Sequence, residues 1–151
     1  MVLDDVKILS RKLSRKFDLE VIFGNFYPSY LGKFYPFFNK IEFDVGLIHN
    51  PTLLCHVLFH EATHSTSIRE EFFRDLPLFN KNYNENLEEY IAEFTAFLLS
   101  KKFKNKLSKS DRTKRIQEFK KFKSNLSKTQ INYAKKEIFK IYNELLLVFE
   151  T

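Results

Sequence analysis

A chain of 151 residues, 44 % apolar and carrying eighteen Phe and seven Tyr, can bury one substantial core and is short for two, so a single domain over 1–151 is expected. One cysteine excludes an intramolecular disulfide, no apolar run is long enough to cross a bilayer, and Met1-Val-Leu-Asp-Asp has neither the basic start nor the apolar stretch of a signal peptide; the expectation is a cytoplasmic protein without a membrane partner. The net charge of +6 is concentrated, because between Lys101 and Lys123 eleven Lys or Arg residues stand against Asp111 and Glu118 alone.

Along the chain, Val2, Val6, Leu9, Leu13 and Phe17 recur every three to four residues, with Asp4 and Asp5 early and Arg15 and Lys16 late, as in a dipole-matched amphipathic helix. Leu19 to Phe23 reads as a short strand. Phe-Tyr-Pro then occurs twice, at 26–28 and 34–36, in a segment of turns and a further short strand, where the aromatics either rim a cleft or pack a hairpin. Ile41, Phe43, Val45 and Leu47 alternate with Glu42, Asp44, Gly46 and Ile48, the period of a half-buried strand.

Asn50-Pro51 is a helix start, with a capping side chain and a proline in the first turn, and the helix is expected to run to about Ser67. It carries the most informative residues of the chain, His60-Glu61-Ala62-Thr63-His64. Histidines four apart lie on one helix face, so both imidazoles can reach one metal ion, with the intervening glutamate placed to handle a water. His56 precedes His60 by a turn, about 6 Å along the axis, and reads as a cleft or core histidine; Cys55 points away from the metal face into the core. Residues 68–85, with Pro77, read as a loop that returns the chain.

Asn86, with Glu89 three residues on, opens the next helix. Two histidines leave a catalytic zinc short of a ligand, and Glu89 and Glu93, one turn apart on one face, can supply it. Glu89 is assigned as the ligand and Glu93 as the acceptor for a ligand histidine's second nitrogen. Glu88 lies about 140° from Glu93 around the helix and is the weaker candidate; with Glu85 it reads as a solvated acidic first turn favoured by the helix dipole. Ser108 to Asp111 breaks the pattern, and a helix to about Ser124 follows, its lysines surrounding Ile116, Phe119 and Phe122. Ser127-Lys-Thr-Gln130 caps a last helix with a stripe of Ile131, Ala134, Ile138, Ile141, Tyr142, Leu145 and Phe149. The fold class is therefore α+β.

His60 to His64 together with Glu88-Glu89-Tyr-Ile-Ala-Glu93-Phe-Thr-Ala-Phe-Leu resembles the zincin-like metallopeptidase domain of ArdC-type antirestriction proteins and related polyvalent phage and plasmid proteins, over about residues 40 to 104. More distantly, Glu89 to Leu99 is similar to the E-x-x-A-[ND]-x-F-A-x-x-L-L run of ImmA/IrrE-type peptidases. The Trp-Thr-Gly that often follows the second histidine is Ser65-Thr66-Ser67 here. The resemblance implies a zincin-like fold, with a small, mostly antiparallel sheet of about three strands on an active-site helix, a Glu-bearing helix and two C-terminal helices. It implies Zn2+ held by His60, His64 and Glu89, Glu61 as general base, and a strand ahead of the metal helix that edges the cleft and pairs with extended substrate.

The expected function is that of a gluzincin-like zinc metallopeptidase of phage or mobile-element type, hydrolysing peptide bonds in a protein or peptide substrate by Glu-assisted attack of water activated by zinc. Manganese, cobalt or iron could occupy the same ligands. Tyr83, Tyr90, His49, His56 and Arg69 are all chemically able to stabilise the oxyanion. The alternative is a DNA- or regulator-binding, antirestriction-like protein with a structural or vestigial zinc site, whose basic 101–123 segment contacts nucleic acid; the same lysines also suit a plain solvated helix face.

Overall fold

The computed structural model describes residues 1–24, 31–75 and 84–151, with side chains of the second segment described as far as residue 67. Among the described residues, five helices and three strands follow one another as α1 (Leu3–Phe17), β1 (Glu20–Gly24), β2 (Gly32–Tyr35), β3 (Lys40–Asp44), α2 (Pro51–Asp75), α3 (Glu85–Lys102), α4 (Lys109–Ser124) and α5 (Lys128–Glu150), with a 3-10 turn at Val45–His49 between β3 and α2. This is the expected α+β class. The Phe-Tyr-Pro at 26–28 and residues 76–83 of the segment expected to be a loop lie outside the described residues.

The helix ends follow local chemistry. The α2 start at Pro51 is as expected, with Asn50 Oδ1 accepting from Leu53 N–H at 3.4 Å. Ser108 caps α4 through Asp111 N–H, and Ser127 with Gln130 forms the expected reciprocal cap of α5. Two boundaries need correction. The cap of α3 is Asn84, whose Oδ1 accepts from Leu87 N–H at 3.2 Å, so the cap lies two residues ahead of Asn86 and the helix begins at Glu85. Helix α2 continues to Asp75, because residues 68–75 contain no Gly or Pro to end it and the loop reading of 68–85 rested on Pro77 and the Asn-rich stretch, both beyond Asp75.

The sheet is mixed rather than mostly antiparallel. Its order is β1-β3-β2, with β1 parallel and β2 antiparallel to β3. Ile41 and Phe43 are the most deeply buried strand residues, and burial on that scale suits the middle position. Both edges of β3 are consequently occupied, so it cannot pair with substrate as the resemblance implied; β2 holds the position beside α2 instead. The strand also ends at Asp44. The apparent alternation beyond it counts Val45 as inward, whereas Val45 is exposed and the chain is already turning into α2.

Helix α2 is buried almost all round between residues 53 and 67, covered by the sheet, α1, α3 and α5. Its aromatic anchor, Phe59, meets Phe149 edge-on at 5.3 Å and Phe103 at 5.7 Å between ring centroids, which ties the metal-motif helix to the far end of α5. The expected α5 stripe is inward, with Ala134, Ile138, Ile141, Leu145 and Phe149 all buried. On α4, Phe119 stacks on Tyr90 at 5.0 Å and approaches Phe94 and Phe97, which leaves the lysines of that helix facing outward.

Phe59→Ala is expected to cost about 3–5 kcal/mol of folding stability through the cavity it opens. The denaturation midpoint of the purified variant reads this directly.

Candidate metal centre

Within α2 the four-residue spacing stacks His60 and His64 on one face, their rings 4.8 Å apart. The adjoining helix α3 presents Glu89 to both. Glu89 Oε2 lies 3.1 Å from His60 Nε2, Glu89 Oε1 lies 2.9 Å from His64 Nε2, and the two Nε2 atoms lie 3.1 Å from each other. Three donor atoms thus converge on one point from two helices, and the group could hold a metal ion.

The donor set fits that role. Bonds of about 2.0–2.1 Å in a tetrahedron put ligand atoms roughly 3.3 Å apart, close to the separations found here. The two imidazole Nε2 atoms face each other as well as the carboxylate, so the cluster calls for added positive charge. A shared cation, whether protons or a metal, satisfies all three.

Glu93 backs His60 as expected. It is 1 % exposed, and its Oε2 lies 2.9 Å from His60 Nδ1. Its Oε1 lies 2.5 Å from Nε2 of His56, so His56 belongs to the core behind the cleft and is itself part of the site's support.

The reading of Glu88 as a solvated first-turn residue is wrong. Glu85 is exposed, but Glu88 is 6 % exposed and its Oε2 faces His64 Nδ1 at 3.6 Å, an ion-pair distance too long for a hydrogen bond. Both facing atoms are buried with no hydrogen-bond partner, while Glu88 Oε1 accepts from Ser67 Oγ–H at 2.9 Å. Glu88 was discounted because it does not share a helix face with Glu93. Yet the two ligand histidines turn their outer nitrogens in different directions, so carboxylates from different faces of α3 are what they require. The usable signal was the need of His64 Nδ1 for an acceptor.

Glu61 lies in the cleft under β2. Leu31 C=O accepts from Asp44 N–H at 2.9 Å, so alternation along the antiparallel pair turns the backbone of Lys33 toward β3 and that of Gly32 and Phe34 outward. Phe34 N–H accordingly donates to the Glu61 carboxylate. The strand passes so close to α2 that a Cβ at Gly32 would come within 2.8 Å of Val57 Cγ1 and 3.3 Å of Glu61 Cγ. A side chain there would lift β2 off the helix. The cleft has a volume of about 690 Å³ and runs between β2 and α4, with Lys33 on one wall and Arg115, Glu118 and Phe122 on the other.

Of the oxyanion candidates, Tyr90 is buried against Phe94 and Phe119, His56 is engaged by Glu93, and His49 closes the 3-10 turn outside the cleft. Tyr83 and the Arg69 side chain lie outside the described residues. Cys55 is fully buried, as expected, and burial pushes its thiol up to about 12.

The electrostatics follow from this crowding. Burial disfavours the imidazolium of His60, but hydrogen bonds to Glu89 and Glu93 outweigh it and raise its pKa to about 9. Burial likewise opposes charge on His64, and Glu88 and Glu89 overcome it, raising its pKa well above the ordinary value. Burial alone would raise Glu89 and Glu93; their histidine partners reverse this and hold both well below the usual carboxylate range. Glu61 goes the other way. Its burial, aided by the charge of Glu89, exceeds the lowering by the two histidines and the Phe34 N–H, so its pKa is raised, the direction a general base at neutral pH needs.

Comparison with protein-family models, with curated proteins and with solved structures gave no match, and the function is therefore read from the geometry.

Metal uptake by this cluster must displace protons, since a coordinated imidazole is neutral. In the metal-free protein the raised pKa of His60 adds stability in full below its ordinary 6.5, and this is lost as the pH rises through about 9. The metal-free denaturation midpoint should therefore fall across that interval while zinc affinity rises. Titration calorimetry in buffers of differing ionisation enthalpy should show release of roughly two protons per zinc near neutral pH.

Proposed function

We propose that the chain is a zinc-dependent metallopeptidase of the gluzincin kind, with a zincin-like arrangement of sheet and helices around the cleft. The observation that carries this reading is the convergence of His60, His64 and Glu89 on one point, with Glu61 beside it in an open cleft. Zinc is the best fit to two imidazoles, one carboxylate and an open position, and when bound it supplies a Lewis acid that polarises a carbonyl and makes water acidic. Glu93 and Glu88 orient the two histidines. Glu61 accepts the water proton and passes it to the leaving amine. The outward backbone of Gly32 and the Phe34 carbonyl, the Phe34 N–H being taken by Glu61, suit an extended peptide lying along β2, the role the strand ahead of the helix was expected to play.

A second reading rests on the basic surface. Lys101, Lys102, Lys104, Lys106, Lys109 and Arg112 are exposed, and α4 continues as one wall of the cleft. Contact with nucleic acid through this surface would be steeply salt-dependent and would survive loss of Glu61.

Glu61→Gln is expected to lower peptide hydrolysis by about 10²–10⁴-fold with zinc still bound. His64→Ala is expected to lose the metal. Metal content by mass spectrometry and cleavage of a mixed peptide library check both, and undiminished cleavage by Glu61→Gln removes the proposed mechanism.

A further inference from the structure

We infer that His56 and Ser100 are positioning residues of the metal centre, acting through Glu93 to hold His60 as the tautomer whose Nε2 is free for the ion; this rests on the metal-centre reading above. The residues form a chain across the α2–α3 interface. Ser100 Oγ lies 3.1 Å from His56 Nδ1, His56 Nε2 lies 2.5 Å from Glu93 Oε1, and Glu93 Oε2 lies 2.9 Å from His60 Nδ1. Helical spacing makes this possible: His56 and His60 are one turn apart on α2, while Glu93 and Ser100, seven residues apart, share a face of α3.

Proton accounting gives the chain a direction. An ionised carboxylate only accepts, so Glu93 requires a proton on both nitrogens that face it, His56 Nε2 and His60 Nδ1. For His60 in the neutral form that can hold an ion, this leaves Nε2, the atom facing Glu89 and His64, as the nitrogen with a lone pair. For uncharged His56 it leaves Nδ1 as an acceptor, and the Ser100 hydroxyl is positioned to donate there.

Glu93 also needs the second donor. A carboxylate 1 % exposed cannot draw on water, and with His60 as its sole partner one oxygen would be buried without a hydrogen bond. His56 is itself 1 % exposed and lies edge-on against Phe97, 4.8 Å between ring centroids, so it has little room to turn away. The second histidine thus fixes the orientation of the carboxylate, and the carboxylate fixes His60.

A merely structural link between the two helices would tie them together without tuning the metal, and a double-mutant cycle on the full chain separates the cases. The readouts are zinc affinity by chelator competition, the visible absorption of the cobalt-loaded protein, and the metal-free denaturation midpoint as a folding control. His56→Leu is expected to weaken zinc roughly 10–100-fold and shift the cobalt bands, whereas His56→Gln, which keeps an N–H donor near the Nε2 position, stays within about threefold of the parent. Ser100→Ala should weaken zinc in the same direction but less. In a Glu93→Gln background His56→Leu should bring no further loss, because its route to the metal is already cut.

Folded His56→Leu with the parent's zinc affinity and cobalt spectrum overturns the inference, as does a full additive loss on top of Glu93→Gln. If His56→Leu does not fold, Ser100→Ala decides: weakened zinc upholds the chain, and unchanged affinity and spectrum overturn it. A parent protein that takes up neither zinc nor cobalt instead overturns the metal-centre reading itself, a result visible before any variant is made.

Discussion

Two imidazole nitrogens 3.1 Å apart, each about 3 Å from a different oxygen of one carboxylate on the neighbouring helix, are the constraint around which the rest of the molecule is arranged. Two imidazoles and a carboxylate held that closely in a largely buried place are stable only when positive charge is shared among them. The helices that carry them must be held rigidly enough to maintain that spacing. The near-complete burial of α2, the aromatic contacts of Phe59 with α5 and the stacking of Phe119 on α3 all serve that rigidity.

Buried carboxylates are costly unless each has partners, and the site meets this by tiers. Glu89 faces both His60 and His64; Glu93 and Glu88 face their outer nitrogens; His56 and Ser67 in turn face those carboxylates, with Ser100 behind His56. Support is uneven between the halves. Around His60 every contact is within hydrogen-bonding range, whereas His64 Nδ1 and Glu88 stand 3.6 Å apart with neither atom satisfied. A small rotation of either side chain would complete that bond. Glu61 contrasts with Glu89 and Glu93, because its burial outweighs the neighbouring imidazoles and raises its pKa where theirs are lowered.

Several features were legible in the sequence because they are local. The four-residue spacing of His60 and His64, the caps at Asn50 and Ser127, and the apolar stripe of α5 depend on residues within a turn or two of one another, and the structure has them as read. Glu89 and Glu93 were placed on one face by the same rule. Boundaries failed where the local cue was ambiguous, as at Asn86, where a second asparagine two residues earlier makes the actual cap, and after Ser67, where no helix breaker is present before Pro77.

What the residues determined unaided is the chemistry on offer: which side chains can bind a metal, which can exchange a proton, and which helix faces carry them, since these depend on side-chain type and on the 3.6-residue period alone. What tertiary structure decided is every relation across elements. It put β3 in the middle of the sheet and β2 at the cleft, turned Glu88 inward to His64, and made His56 a partner of Glu93. The physical reason is that strand order and helix docking are settled by which apolar surfaces bury together over the whole chain. A polar side chain's partner lies dozens of residues away and is known only once those surfaces have met.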